Sequence, residues 1–224
     1  MALKSILQII KTLIVLYPFS ANTAVLFTED FSDNSAGWTL GTEWQIGSAS
    51  PSTGQAASTN PDPGQDHTAT SDNGVAGVVI GGNASTTLHP YYYLTSPVID
   101  TNVSDNVSFE YWRWLNSDYT PYMQNNIQVF DGSTWNTIWE SGPAPAITDD
   151  AWTYHSFDIT SYKNSNLQIR FGHQVGSAGV FTVSSWNIDD IAITTSPVPV
   201  PAALWLFGSG LIGLIGIARH KHSV

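Results

Sequence analysis

Between Val25 and Ser196 no stretch reads as a long helix; short β-branched and aromatic runs recur instead, each bounded by Gly, Asn, Asp, Pro or Ser. NVSFEYWRWLN, NIQVF, WNTIWES, WTYHSFDIT, NLQIRFGH and WNIDDIAIT are the clearest strands. Leu167, Ile169 and Phe171 alternate with Gln168 and Arg170, as a strand with one wet face requires. Asp131-Gly132 separates two such runs, and both residues tolerate the positive φ of a tight hairpin turn. Gly47 to Gly82 lacks the pattern and is rich in small polar residues, so a long irregular loop is expected there. A segment of about 170 residues suffices for one β domain with a sizeable core, and a β-sandwich is the expected architecture.

That sandwich takes nothing from disulfides, because the chain has no cysteine. Thiol chemistry and cysteine-ligated metals are excluded with it. Three cations, Arg113, Lys163 and Arg170, stand against all eighteen carboxylates between Val25 and Ser196, which leaves that segment at −15. Such a surface repels nucleic acid and anionic lipid, and favours cations or neutral partners.

The two ends are of another kind. Lys4 and Lys11 precede the apolar run Thr12 to Phe19, which reads as a secretory signal peptide over residues 1–24 with cleavage after Ala24. At the other end every second residue of Pro197-Val198-Pro199-Val200-Pro201 lacks an N–H, so this is an extended linker. Residues 202–218 carry no charge, and as a helix they would reach roughly 25 Å, enough to span a bilayer core. Arg219 and Lys221 in the tail 219–224 place that end in the cytoplasm and residues 25–196 outside.

Val198-Pro199-Val200-Pro201 with the glycine-spaced apolar run and the basic end from Arg219 resembles a PEP-CTERM sorting signal over the last 27 residues. Val200 stands where the name-giving Glu of that motif would be. The resemblance implies an exosortase-type processing enzyme as partner, anchoring in the inner membrane before processing, and a cell-surface or extracellular destination. The host it implies is a Gram-negative bacterium that makes exopolysaccharide.

A second resemblance covers nearly all of residues 25–196. Phe27-Thr-Glu-Asp-Phe31 with Gly37-Trp38, Trp44-Gln-Ile-Gly47, Asp66-His67-Thr68, Leu94 to Asp100, Ser108 to Trp112, Ile169-Arg-Phe171 and Trp186 to Ile191 follow the order seen in MAM-like jelly rolls. Bacterial members accompany secreted peptidases and surface proteins as accessory modules. Animal MAM domains usually carry cysteines, absent here, and Ser32 replaces a common acidic residue.

In a jelly roll the first and last strands are neighbours, which would bring Glu29 and Asp30 toward Asp189 and Asp190, with Asp66 supplied by the loop. Clustered carboxylates of this kind suit a structural Ca²⁺, although carboxylates also cap turns and keep an acidic surface soluble without any ion. Strand alternation sends Asp189 and Asp190 to opposite faces, so both can serve one site only at a bulge. Aromatic residues offer a rival site: Tyr91, Tyr92, Trp112, Trp114 and Tyr119 lie at or beside expected loops, where rings stack on sugars, although sandwich cores consume such residues too. Catalytic patterns are lacking, since His67, His89, His155 and His173 show no close metal spacing and no Gly-x-Ser-x-Gly elbow occurs. The leading expectation is therefore a non-catalytic adhesion or scaffold module of an exopolysaccharide layer. The alternative is a carbohydrate-binding module using loop aromatics, with a small hydrolase third.

Overall fold

The computed structural model describes residues 23–53, 59–68, 70–183 and 185–196. The apolar run of the expected signal peptide and the whole sorting segment, with Val198, Pro199, Val200, Pro201 and Arg219, lie outside the described residues. Among the described residues no helix is long and apolar enough to cross a membrane.

Among the described residues there are twelve strands and one 3₁₀ turn (Thr160–Tyr162). The strands are β1 (Val25–Glu29), β2 (Thr39–Leu40), β3 (Trp44–Ser48), β4 (Gly74–Val78), β5 (His89–Thr95) and β6 (Asn106–Ser117), then β7 (Met123–Phe130), β8 (Trp135–Glu140), β9 (Ile147–Thr148), β10 (Thr153–Asp158), β11 (Gln168–Val175) and β12 (Trp186–Ser196). They form two antiparallel sheets. One has seven strands in the order β10-β6-β12-β4-β3, with β1 also on β12 and β9 also on β6; the other has five in the order β2-β5-β11-β7-β8.

The two sheets close over one core as a β-sandwich. Phe109, Tyr111 and Trp186 from the larger sheet meet Phe171 from the smaller, with ring centroids 5.4–6.0 Å apart. Each of these four residues is fully buried or within 1 % of it. Leu167, Ile169 and Phe171 are buried, as the alternation predicts, while Gln168 and Arg170 stay half-exposed. Asp131-Gly132 makes the β7–β8 hairpin, with Gly132 at φ 95° and the Asp131 carboxylate accepting the N–H groups of Ser133 and Thr134.

The stretch Gly47 to Gly82 departs from expectation. It contains β4, the sequence Gly-Val-Ala-Gly-Val, hydrogen-bonded between β3 and β12. All five residues are buried, so no polar alternation marks the strand. Its glycines are there for close approach: a Cβ on Gly74 would strike the Phe31 backbone. Apart from Gly47 and Ser48 at the end of β3, the other described residues of the stretch lie outside the strands.

Candidate functional site

The outer face of the five-stranded sheet gathers the polar and aromatic side chains that its core-facing alternation leaves over. Arg170 of β11 lies between two rings, its guanidinium carbon 3.9 Å from the Tyr93 centroid and 4.0 Å from that of Trp135. Its Nε donates to Gln128 Oε1 of β7 at 2.7 Å, which fixes the plane of the guanidinium. One strand position along, Tyr91 stacks near Tyr93 at 5.7 Å and its hydroxyl donates to Gln124 at 3.3 Å. Gly172 makes this convergence possible, because a Cβ there would lie 2.6 Å from the Tyr93 ring and 3.0 Å from the Tyr91 ring. Beside Tyr91 a small cavity of about 190 Å³ is lined by Thr120, Gln124, Asn125, Glu140 and Ser141. Half-buried rings flanked by amide, hydroxyl and guanidinium groups supply apolar contact and hydrogen bonds together.

Of the aromatics expected to form a sugar platform, only Tyr91 belongs to this face. Tyr92 turns inward, stacked on His89 at 4.1 Å. Trp112 and Trp114 stand on the other sheet, where they hold down the loop around residues 61–68. Trp112 stacks on His67 at 3.6 Å, Trp114 Nε1 donates to Pro61 O, and the neighbouring Trp152 Nε1 donates to Gln65 O. Tyr119 packs edge-on against Tyr122. The five do not meet, since sheet membership as well as loop position decides which rings share a surface. Tyr93, Trp135, Arg170, Gln124 and Gln128 were missed; the wet face of β11 and the NIQVF part of β7 were legible, but β5 and the pairing of both strands with β11 were not.

Of the expected carboxylates, Asp66, Asp189 and Asp190 lie within reach of one another's charge, and all five are engaged by the protein itself. β1 pairs with β12, Glu29 opposite Ile191. A bulge between Asp189 and Ala192, with Asp190 at φ 47°, turns both aspartates toward the same loop. Asp189 is fully buried and accepts the N–H groups of His67 (2.7 Å) and Asp190 (2.8 Å). Burial pushes its carboxyl up to about 7, with the charges of Asp190 and Asp66 adding to the shift and the two N–H groups opposing it. Asp190 accepts from His67 Nδ1 at 2.6 Å and from the Thr68 hydroxyl. Asp66 accepts from Thr70, and Asp30 from Ser32 N–H. Glu29 accepts from Phe31 N–H and from Trp38 Nε1, both at 2.9 Å, and burial raises its carboxyl as well.

Two histidines read as unrelated in sequence are neighbours in space. His89 of β5 and His173 of β11 lie with ring centroids 5.3 Å apart, and desolvation with the neighbouring His89 pushes His173 down to about 3. The hydrolase reading finds no constellation at His67, where the Thr68 hydroxyl donates to Asp190 and not to the imidazole.

No protein-family model matches the chain, and no curated protein matches it. Among solved structures it is similar to the K1 cleaved adhesin domain of Lys-gingipain from Porphyromonas gingivalis W83, at 15 % identity and TM-score 0.44, over 77 % of this chain and 97 % of that one. It is also similar to the CBM22-1 xylan-binding domain of Paenibacillus barcinonensis Xyn10C, at 14 % identity and TM-score 0.42, over 79 % of this chain and 97 % of that one. A third is the C-terminal CBM6 of LamC from Zobellia galactanivorans, at 14 % identity and TM-score 0.41, over 78 % and all of the respective chains.

Proposed function

We propose that the protein is a non-catalytic carbohydrate-binding module which holds a neutral polysaccharide on the outer face of its five-stranded sheet. The observation that carries this reading is the Tyr93–Arg170–Trp135 stack with Tyr91, Gln124 and Gln128 beside it. Ring faces there offer apolar contact to the C–H groups of a pyranose, and the amides and guanidinium offer hydrogen bonds to its hydroxyls. The net charge of −15 over residues 25–196 argues for an uncharged glycan. Within this reading the sandwich is of jelly-roll type, exported, sorted through the inner membrane by an exosortase-type enzyme, and displayed in the exopolysaccharide layer of a Gram-negative cell. Adhesion is then the consequence of sugar binding.

A structural Ca²⁺ at Asp66, Asp189 and Asp190 is a further part of the proposal, supported by the Asp189 carboxyl, which burial first and then the charges of Asp190 and Asp66 push up. A melting midpoint that rises with Ca²⁺ in the wild type but not in Asp66→Asn supports it, and an unchanged midpoint removes it. The function itself is tested by affinity electrophoresis of the full chain in neutral β-glucan, xylan and galactan gels. Retardation by at least one glycan, abolished in Tyr93→Ala and Arg170→Ala and kept in Trp112→Ala, is the expected result. Equal loss in all three variants, or no retardation, refutes it.

A further inference from the structure

We infer that Glu43, His89 and His173 form a buried binding site for a first-row transition-metal dication, best matched by Zn²⁺. One oxygen or nitrogen atom from each residue lies within 4.8 Å of the other two. Glu43 Oε2, His89 Nε2 and His173 Nε2 are all buried, and none has a hydrogen-bond partner. His89 is 8 % exposed and His173 2 %.

The hydrogen bonds on the far side of each ring decide what faces the centre. His89 Nδ1 lies 2.8 Å from the carbonyl of Pro90, which only accepts, so Nδ1 carries the proton. His173 Nδ1 lies 3.1 Å from Asn125 Oδ1, and the amide is oriented by its own Nδ2 donating to Ser117 Oγ at 2.6 Å. That nitrogen is protonated too. In the neutral imidazoles Nε2 is then a bare lone pair, left without a hydrogen-bond partner on both rings, as is the buried Glu43 Oε2 of the same cluster. Three acceptors face each other with no donor among them, a costly arrangement that a cation turns into a favourable one.

The donor set selects the cation. Two imidazole nitrogens and one carboxylate oxygen suit Zn²⁺ at about 2.0–2.2 Å per bond, whereas Ca²⁺ and Mg²⁺ take oxygen. Ligand atoms at such bond lengths stand about 3.4 Å apart in a tetrahedral shell, so the three atoms, now within 4.8 Å of one another, must close by up to about 1.4 Å, and the fourth position falls to water. The backbone carbonyl of Pro90 and the Asn125 amide are the kind of outer partner that orients a ligating histidine.

The fold builds this site with irregularities. On β11 His173 pairs with Tyr92 and Val175 with His89, so β5 carries one extra residue. Strict alternation would send His89 outward with Tyr91 and Tyr93; the extra residue turns it inward beside Tyr92. Glu43 sits at φ 70°, in the left-handed region that non-glycine residues avoid, and its carbonyl accepts Val79 N–H at 2.9 Å. Trp44 Nε1 donates to Tyr92 O at 3.0 Å, which ties that turn to β5. A metal here would join the turn before β3 to β5 and β11, cross-linking a chain that has no disulfide.

The test uses the full chain, stripped with EDTA and titrated with Co²⁺ and then Zn²⁺. Visible d–d absorption that saturates at one Co²⁺ per chain and is displaced by one Zn²⁺ is expected, with a midpoint rise of about 5–10 °C at free Zn²⁺ 100-fold above Kd. Ca²⁺ and Mg²⁺ leave the absorption unchanged. His220→Ala/His222→Ala retains the signal, which separates the site from the tail. Glu43→Gln and His89→Gln lose it while melting in EDTA like the wild type. Where a variant fails to fold, the imidazole ¹⁵N signals of the wild type decide: one equivalent of Zn²⁺ shifts Nε2 of His89 and His173. No saturable Co²⁺ signal, a signal kept in Glu43→Gln or lost with the tail histidines, or unmoved Nε2 resonances overturns the inference.

Discussion

Asp189 Oδ2 accepts the backbone N–H of His67 at 2.7 Å, tying the last strand to a loop 122 residues earlier in the chain. Its carboxyl is held at about 7, above the unfolded value near 4. Between about pH 4 and pH 7 the folded protein keeps a proton that the unfolded chain has released, so this group's contribution to stability is full below pH 4 and is lost as pH rises through 7. Thermal melts in EDTA across this range should show the wild-type midpoint falling more steeply with pH than that of Asp189→Asn. Parallel pH profiles would contradict the assignment.

Gly172→Ala places a methyl group against the Asn126 amide oxygen and the rings of Tyr93 and Tyr91. Overpacking of this kind costs about 1–3 kcal/mol and would displace both rings. The expected outcome is a folded protein with a modestly lowered midpoint and glycan affinity reduced at least tenfold. Unchanged affinity would mean that this face does not hold the ligand.

Arg113 and Asp149 form a nearly buried two-point pair, Nε to Oδ2 at 2.9 Å and Nη2 to Oδ1 at 3.1 Å, and Asp149 also accepts the N–H of Leu115. Asp149→Ala leaves the guanidinium without its carboxylate, for which about 3–5 kcal/mol of lost stability is expected. Urea unfolding measures it directly, and a loss below 1 kcal/mol would show that water replaces the pair.

Phe171 touches Trp38, Phe109, Tyr111 and Trp186 at the centre of the sandwich. Phe171→Ala should destabilise by about 3–5 kcal/mol, by loss of burial and by the cavity left behind. The midpoint of urea unfolding should fall with the slope unchanged.

Period-2 alternation made β11 legible down to the individual residue, from Leu167 to Arg170, and the pairing of first and last strands followed from the expected topology. β4 was not legible, because a strand buried on both faces and made of Gly, Val and Ala has no wet residues to mark it. Alternation alone put Asp189 and Asp190 on opposite faces, with a bulge as the only way to one site, and the structure has that bulge between Asp189 and Ala192. The one in β5 was not, and it reverses the facing of His89. Sequence names residues on most strands and marks the β7–β8 hairpin; the placing of β11 between β5 and β7, which brings Arg170 to Tyr93, Gln128 and Trp135, depends on long-range pairing that no local pattern encodes.

The position of β12 has a mechanical consequence. It lies between β6 along one side and β4 then β1 along the other. A pull applied beyond Ser196 runs along the strand axis and loads both rows of hydrogen bonds in shear, all at once, where an edge strand would peel away bond by bond. On the proposed reading the opposing grip is on the five-stranded sheet, whose rings Phe171 and Trp139 both pack on Trp186 of β12. A molecule strained between its C-terminal end and a bound polymer would therefore resist force through its most central strand.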